Sequence, residues 1–351
     1  MVRIPVAPGD ELAGLEELGG SGGVCVRCLL SKGSFVNSIP TLSVIIPAYN
    51  VKPYIHEAVE SALTQSFTDL EVIVVDDGST DGTMEALQSF NDPRLRRIEQ
   101  LHAGLASTRN SGIQVARGTY LGFLDGDDLW AENKAERHLE FLRNHPEVDL
   151  TFSFARMIDE SGKQLSPRSD TRGEICFQDL LIRCPHCNAV LRRETIERAG
   201  LFDPDLAGSE DLDVWLRIAM QRKGNIYCIP EFLAFYRRRA GQLTGDLKHE
   251  QEAWQQLLQK LMRLAPDEMR KSEKPANQAR YRYYSFLAYE KKQYGKAFHL
   301  LVTSLRYGPW NGLLNGQTWG LIGAFLSGSI LPDSFHQYLK HKASLWKCRF
   351  Q

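Results

Sequence analysis

The stretch LEVIVVDDGSTDG, Leu70 to Gly82, sets a run of branched aliphatic residues directly against a turn of acids, hydroxyls and glycines. A strand with one wet face alternates polar and apolar residues. A run that is apolar at nearly every position marks a strand buried on both faces, as in a parallel sheet covered by helices. Two other stretches repeat the pattern: LSVIIP from Leu42 runs into Ala48, Tyr49 and Asn50, and TYLGFL from Thr119 runs into Asp125, Gly126, Asp127 and Asp128. Between the first two runs, Ile55, Ala58, Val59, Ala62 and Leu63 recur at helical spacing, with Asn50 as a candidate cap. DGTMEALQSF from Asp81 and LASTRNSGIQVARG from Leu105 also read as helices, the latter stopping at Gly118. The alternation predicts an α/β fold with a doubly wound, mostly parallel sheet flanked by helices. Such sheets bind ligands beyond the carboxyl ends of their strands, so all three polar clusters are expected on one edge.

Forty-two Lys plus Arg against 43 Asp plus Glu leaves a formal charge of −1 in 351 residues. No global field therefore draws nucleic acid or an anionic membrane, and an anionic ligand needs a local device. The length suggests two domains or one with a large appendage. Seven cysteines in a chain of this size fit reduced thiols better than a disulfide framework. The first forty residues lack the order of a secretory signal, so a cytoplasmic home is expected. WGLIGAFLSGSILP, Trp319 to Pro332, is too short and glycine-rich to span a bilayer.

Carboxylates crowded on one rim repel one another unless a cation compensates them. Mg²⁺ and Mn²⁺ take one or two carboxylates and fill their other positions with water and substrate phosphates, so the edge reads as a metal and diphosphate site. Taken alone, Asp125-Gly126-Asp127-Asp128 is equally a solvated turn. A second acidic group, Glu210, Asp211 and Asp213, opens a helical pattern carried by Leu212, Trp215 and Leu216. Acids there cap the helix and meet its dipole. One of them is also placed to be a general base, a task for which metal-bound carboxylates are poor. These residues by themselves leave both readings open.

The ordered set VIIPAYN, ALTQSF, EVIVVDDGSTDGT, TRNSGI, FLDGDD and SEDLDVWLR resembles the family 2 glycosyltransferases of GT-A fold, over roughly Thr41 to Thr244. The resemblance implies an inverting glycosyltransferase of hexosyltransferase type. It would move a sugar from a nucleotide-diphospho-sugar, expected to carry UDP, to a saccharide or lipid-linked acceptor in polysaccharide or cell-envelope glycoconjugate synthesis. It also implies roles residue by residue. Pro47, Tyr49 and Asn50 line the nucleotide pocket, with the Tyr49 ring against the base; Asp77 accepts the uracil imide N–H, and Asp76 lies in the same pocket. Arg109 sits near donor phosphate or ribose. Asp127 is the direct metal ligand, Asp125 reaches ribose or metal-bound water, and Asp128 touches sugar hydroxyls. Asp211 is the catalytic base and Glu210 its supporting neighbour, with Mn²⁺ or Mg²⁺ as cofactor. The chain departs from the family pattern at Arg239, where a histidine is usual; arginine cannot ligate a metal but can pair with phosphate.

The expected organisation is a flexible leader over residues 1–40, a GT-A domain over 41–245 and a helical extension over 246–351. The GT-A domain divides into a nucleotide-binding half, 41–130, and an acceptor-binding half, 131–245. Within the extension, ARYRYYSFLAYEKKQYGKAFHLLVTSLRYGP resembles one tetratricopeptide-like helix pair, with Ala297, Leu301 and Leu305 on one face and Pro309 as a stop. One pair is too few to stand alone, so it is expected to dock on the catalytic domain or a partner. The apolar and basic mixture after Trp310 suits peripheral contact with the inner membrane face, although a buried terminal helix is the commoner explanation. The CxxC pairs Cys25/Cys28 and Cys184/Cys187 read as free thiols, His186 as a loop residue, and Trp215 as core. Two rival functions are a catalytically weak nucleotide-sugar or partner-binding protein with a helical interaction tail, and a phosphotransferase with an aspartyl nucleophile.

Overall fold

The computed structural model describes residues 27–29, 39–168, 173–183, 188–222, 224–239, 242 and 246–308, together with Thr318 and Ile322. Cys25, Cys184, His186, Cys187, Thr244, Pro309 and, apart from Ile322, the Trp319 to Pro332 stretch, singled out above, lie outside the described residues.

In chain order the strands are β1 (Arg27–Leu29), β2 (Leu42–Ala48), β3 (Leu70–Asp76), β4 (Leu95–Glu99), β5 (Tyr120–Phe123), β6 (Leu129–Trp130), β7 (Leu150–Ile158), β8 (Gln164–Arg168), β9 (Gly173–Glu174), β10 (Val190–Arg192) and β11 (Ile226–Arg237). The helices are α1 (Lys52–Leu63), α2 (Leu105–Val115), α3 (Lys134–Asn144), α4 (Phe177–Ile182), α5 (Arg193–Ala199), α6 (Glu210–Ala219), α7 (Leu247–Leu264), α8 (Pro266–Glu290) and α9 (Tyr294–Tyr307). One mixed sheet runs β1-β4-β3-β2-β5-β10-β7-β11-β6. β4, β3, β2 and β5 are mutually parallel, while β1 and β10 join antiparallel.

Every residue of β2 and of β3 is buried. Val44 and Ile46 face one apolar cluster and Ile45 the other, as the two-sided aliphatic pattern requires. The chain winds outward from β2 through β3 to β4 and returns to place β5 on β2's other side. That reversal opens a crevice at the carboxyl ends of β2 and β5, where Asn50 and Asp125 emerge.

The structure corrects four local expectations. The stretch from Asp81 to Phe90 holds only a single 3₁₀ turn, Glu85–Leu87, not a full helix. It is followed by β4, whose charged residues, Arg96 and Arg97, hid its periodicity. α2 ends at Val115, three residues before Gly118. Gly118 instead passes so close to β2 that a Cβ would lie 2.6 Å from the Ser43 amide. Finally, Arg27–Leu29, inside the stretch read as a leader, pairs with β4.

The helices after residue 246 share an apolar cluster with the sheet: Trp254, Leu257, Leu261, Met269 and Tyr284 join Phe123, Phe152 and Trp215. α8 and α9 pack closely through small residues, with Ala288 and Ala297 fully buried and Ser285 donating to the Ala297 carbonyl at 2.7 Å. Among the described residues, no helix is long and apolar enough to cross a membrane.

Candidate active site

After β2 the chain turns at Asn50 with φ of 50°, a left-handed conformation that Asn tolerates. Asn50 caps nothing, contrary to the sequence reading: its amide donates to Ser79 Oγ at 2.9 Å and its Oδ1 accepts from the Thr80 amide at 2.9 Å. The N-terminus of α1 is met by the neighbouring loop instead. Thr83 Oγ1 accepts from Val51 N and Asp81 Oδ2 from Lys52 N, each at 3.0 Å. Burial alone would raise the Asp81 pKa, yet the hydrogen bonds from Thr83 and Lys52 hold it below the usual carboxylate value. The loops after β2 and β3 are thereby fastened into one rim.

On that rim Tyr49 stays 46% exposed and stacks on the His102 imidazole, centroids 4.3 Å apart. Asp77 lies beneath, buried, and its carboxylate accepts three hydrogen bonds. Gln100 Nε2 and Ala103 N donate to Oδ1 at 2.8 and 2.9 Å and Gly104 N to Oδ2 at 2.9 Å, while His102 Nδ1 bonds the Asp77 backbone carbonyl at 3.2 Å and lies 2.9 Å from Oδ2. Asp76 accepts from Ser79 N at 3.1 Å, while its buried Oδ1 has no partner among the described residues. Burial pushes the Asp76 pKa upward.

The Asp125 to Asp128 turn folds under Pro47. A Cβ on Gly126 would meet the Pro47 carbonyl at 3.0 Å and Val51 at 3.2 Å, so glycine permits the close approach. Arg237, buried at the end of β11, clamps the turn: its amide donates to Asp128 Oδ1 at 2.8 Å and its Nε to the Asp127 carbonyl at 2.9 Å. Its Nη2 meets Glu57 at 2.6 Å. Arg239 Nε lies 2.7 Å from Asp127 Oδ2. Burial raises the pKa of Asp128 well above its ordinary value, and repulsion from Asp127 and Asp125 adds to the shift. Asp125 is also raised by burial, with Arg109 pulling the other way. An open cleft of about 490 Å³, bounded by Asp159, Glu160, Ser161, Arg238 and Arg239, adjoins this turn.

The second acidic group reaches the same place. Arg109, on α2, is only 2% exposed rather than a surface residue; its Nη2 meets Asp125 Oδ1 at 2.8 Å and its Nη1 meets Glu210 Oε1 at 3.0 Å. Glu210 also takes the Gly208 amide at 2.8 Å, which fixes the start of α6. Asp211 follows, half-buried, its pKa pushed to about 7 by burial and by the charge of Glu210, against the pull of Arg109. Trp215, on the same helix, is fully buried between Phe123, Phe152 and Phe202.

Residues 43–200 match the family described as Glycosyl transferase family 2. TuaG of Bacillus subtilis, a putative teichuronic acid biosynthesis glycosyltransferase, is 34% identical over 208 residues, covering 56% of this chain and 79% of that protein. The chain belongs to glycosyltransferase family 2. EpsJ, an uncharacterized glycosyltransferase of the same organism, is 32% identical, covering 59% of this chain and 63% of its own length. This family 2 chain thus spans less than two thirds of that relative. WfaP of Escherichia coli, a UDP-Glc:alpha-D-GlcNAc-diphosphoundecaprenol beta-1,3-glucosyltransferase, is 31% identical, covering 58% of this chain and 80% of that one. In fold, the chain is similar to S. aureus TarS 1-349 in complex with UDP-GlcNAc, with a TM-score of 0.58 at 16% identity over 88% of this chain and 92% of that one. It is also similar to the mannosyltransferase PcManGT from Pyrobaculum calidifontis in complex with GDP-Man and Mn²⁺, with a TM-score of 0.57 at 21% identity over 89% of this chain and 86% of that one. The fold is GT-A.

Pro47, Tyr49, Asn50, Asp76, Asp77, Arg109, Asp125, Asp127, Asp128, Glu210, Asp211 and Arg239 all fall on this rim or one side chain behind it. Sequence reasoning missed Arg237 and His102. Arg237 stands in a run of three arginines that local pattern could not rank, and His102 is a lone histidine in a loop. Only the packing of β11 and of the segment before α2 gives them roles.

Proposed function

We propose that this chain is an inverting glycosyltransferase that moves a sugar from a nucleotide-diphospho-sugar, preferentially a uridine one, to a hydroxyl acceptor in polysaccharide or glycoconjugate assembly. The observation that carries the reading is the Arg109 bridge from Asp125 to Glu210, because it brings the base-bearing helix α6 to the acidic turn. A carboxyl with a pKa of about 7 is half ionised near neutrality, suited to accept a proton from an alcohol as the bond to the anomeric carbon forms. The transfer then proceeds in one displacement, so an α-linked donor gives a β-linked product and no covalent enzyme intermediate forms.

The donor set fits a divalent cation. Burial raises Asp128 most, and repulsion among three carboxylates within four residues adds to it, a concentration of negative charge that a hard ion would relieve. Asp127 would hold it, with Asp125 behind; bound there, the ion would neutralise charge on the departing diphosphate. The chain's own residues do the rest. Arg237 fixes the turn's backbone, Arg239 offers a permanent charge beside Asp127, and Asp76 Oδ1, without a partner among the described residues, is an acceptor for a donor hydroxyl or N–H. The nucleotide sugars bound by TarS and PcManGT and the diphospholipid acceptor of WfaP support this reading of substrate class.

The test is sugar release and transfer from UDP-sugars with Mn²⁺, in the wild type and in Asp211→Asn. The variant is expected to lose at least ~100-fold in rate while keeping UDP affinity. Arg239 on Asp127 favours one rival, a weakly catalytic binder; equal background rates in both proteins with intact UDP binding would select it.

A further inference from the structure

We propose that the outward face of α9, with the turn that precedes it, is a docking surface for an anionic lipid bilayer. The helix sorts its side chains into stripes at α-helical spacing. Ala297, Leu300, Leu301 and Ser304 are buried, and Ser304 Oγ and the Ala297 carbonyl bond α8 directly. Beside them Tyr294, Phe298, Val302 and Leu305, at i, i+4, i+8 and i+11, make an apolar stripe that the fold leaves largely uncovered. Phe298 is 56% and Tyr294 47% exposed, and Val302 and Leu305 are partly exposed. The next stripe, Lys296, His299, Thr303 and Arg306, is polar and basic, and Lys291 and Lys292 stand exposed in the turn before the helix.

Charge selects the occupant. Residues 291–308 hold Lys291, Lys292, Lys296 and Arg306 and no Asp or Glu, in a chain whose formal charge is −1. The molecule as a whole draws no anionic surface, but this segment does. Basic groups running beside exposed rings match a negatively charged bilayer: the rings enter the headgroup layer, and the long lysine stems carry their ammonium groups to the phosphates. A second copy of the chain fits poorly, since a two-fold contact through this face would set lysine against lysine.

The surface also borders the open cleft. Arg238, which lines that cleft, lies with its Nη2 3.4 Å from Glu290 Oε2 at the end of α8, and Lys291 and Lys292 follow Glu290 directly. A bilayer held against α9 therefore meets the protein beside the cleft rather than at a remote face. The surface precedes Trp310 and is distinct from the later stretch whose composition suits a membrane.

Co-sedimentation of the full chain with vesicles of phosphatidylcholine, alone or with ~30% phosphatidylglycerol, tests this. It needs neither donor nor turnover, so its outcome is independent of the sugar-transfer reading. Wild type should prefer the anionic vesicles, and added salt should weaken that binding. Each lysine near an anionic surface is worth about fivefold, so the triple variant Lys291→Gln, Lys292→Gln, Lys296→Gln should bind them ~100-fold more weakly. The same three positions changed to arginine should restore wild-type binding. Phe298→Ser should weaken it ~5–10-fold through lost apolar contact. All four positions are exposed, so an unchanged melting temperature separates lost docking from lost folding. Equal sedimentation of wild type with both vesicle types, or with neither, overturns the proposal, and the latter result assigns the face to a protein partner. Full binding by the triple glutamine variant or by Phe298→Ser overturns it as well, because the contact then lies elsewhere on the chain.

Discussion

Glu210 and Asp211 are adjacent acids with opposite surroundings. Glu210 is tied to Arg109 and to the Gly208 amide, whereas Asp211 has no ion pair among the described residues and burial, with the charge of Glu210, pushes its pKa to about 7. A base works deprotonated, so transfer should climb as pH rises through about 7 and level off above it. Glu210→Gln removes a negative neighbour and leaves Arg109 less balanced, and both changes favour the ionised Asp211. The acid limb of kcat/KM against pH is expected to move down by roughly one unit. An unmoved limb, or one moved to higher pH, counts against Asp211 as the titrating base.

At the scale of elements, α1 and α3 show how helices here lean on their neighbours. The start of α1 is satisfied by Asp81 and Thr83 from the next loop, which binds that helix to the rim it supports. α3 begins with Lys134, fully buried, its Nζ donating to the Asn188 carbonyl at 2.9 Å and to Ser153 Oγ at 3.2 Å beside His138 Nε2 at 3.1 Å. Burial presses its pKa from 10.5 to about 7, and burial together with Lys134 keeps His138 well below its ordinary value. Between pH 7 and 10.5 the unfolded lysine holds a proton that the folded one has released, so this site disfavours folding increasingly as pH falls across that window. The cost is complete below pH 7. The Tm of wild type relative to Lys134→Met should therefore rise between pH 7 and pH 10; a constant difference would show that Lys134 stays charged in place.

Across the whole molecule, the sheet and the helices beyond residue 246 share one apolar cluster. Trp254 is 2% exposed, donates Nε1–H to Asn277 Oδ1 at 2.8 Å and lies under the Arg280 guanidinium at 4.5 Å. Lys260, on α7, pairs with Asp213 of α6 at 2.9 Å and Asp203 at 2.6 Å, which ties the extension to the helix that carries Asp211. Trp254→Ala should cost ~3–5 kcal/mol and lower the melting temperature of the entire protein in a single transition. Two separate transitions in calorimetry, with UDP binding lost only in the upper one, would mean that the extension melts on its own.

The sheet's strands were legible because burial on both faces leaves an uninterrupted aliphatic run that few other structures produce, and the acids behind Val75 and Leu124 were legible because strand ends must turn. The resemblance of those motifs assigned roles to Asp77, Asp127 and Asp211 before any geometry was in view. The strand β4 and the short turn at Glu85 were not legible, since arginines on β4 find partners elsewhere: Arg96 bonds Glu71 and the Val115 carbonyl, and Arg97 bonds the Leu87 and Phe90 carbonyls. Which cation faces which carboxylate was likewise a matter of tertiary structure. Arg109 meets Glu210 across 101 residues and Arg239 meets Asp127 across 112, and no local pattern encodes a contact whose two halves meet only when the sheet has closed.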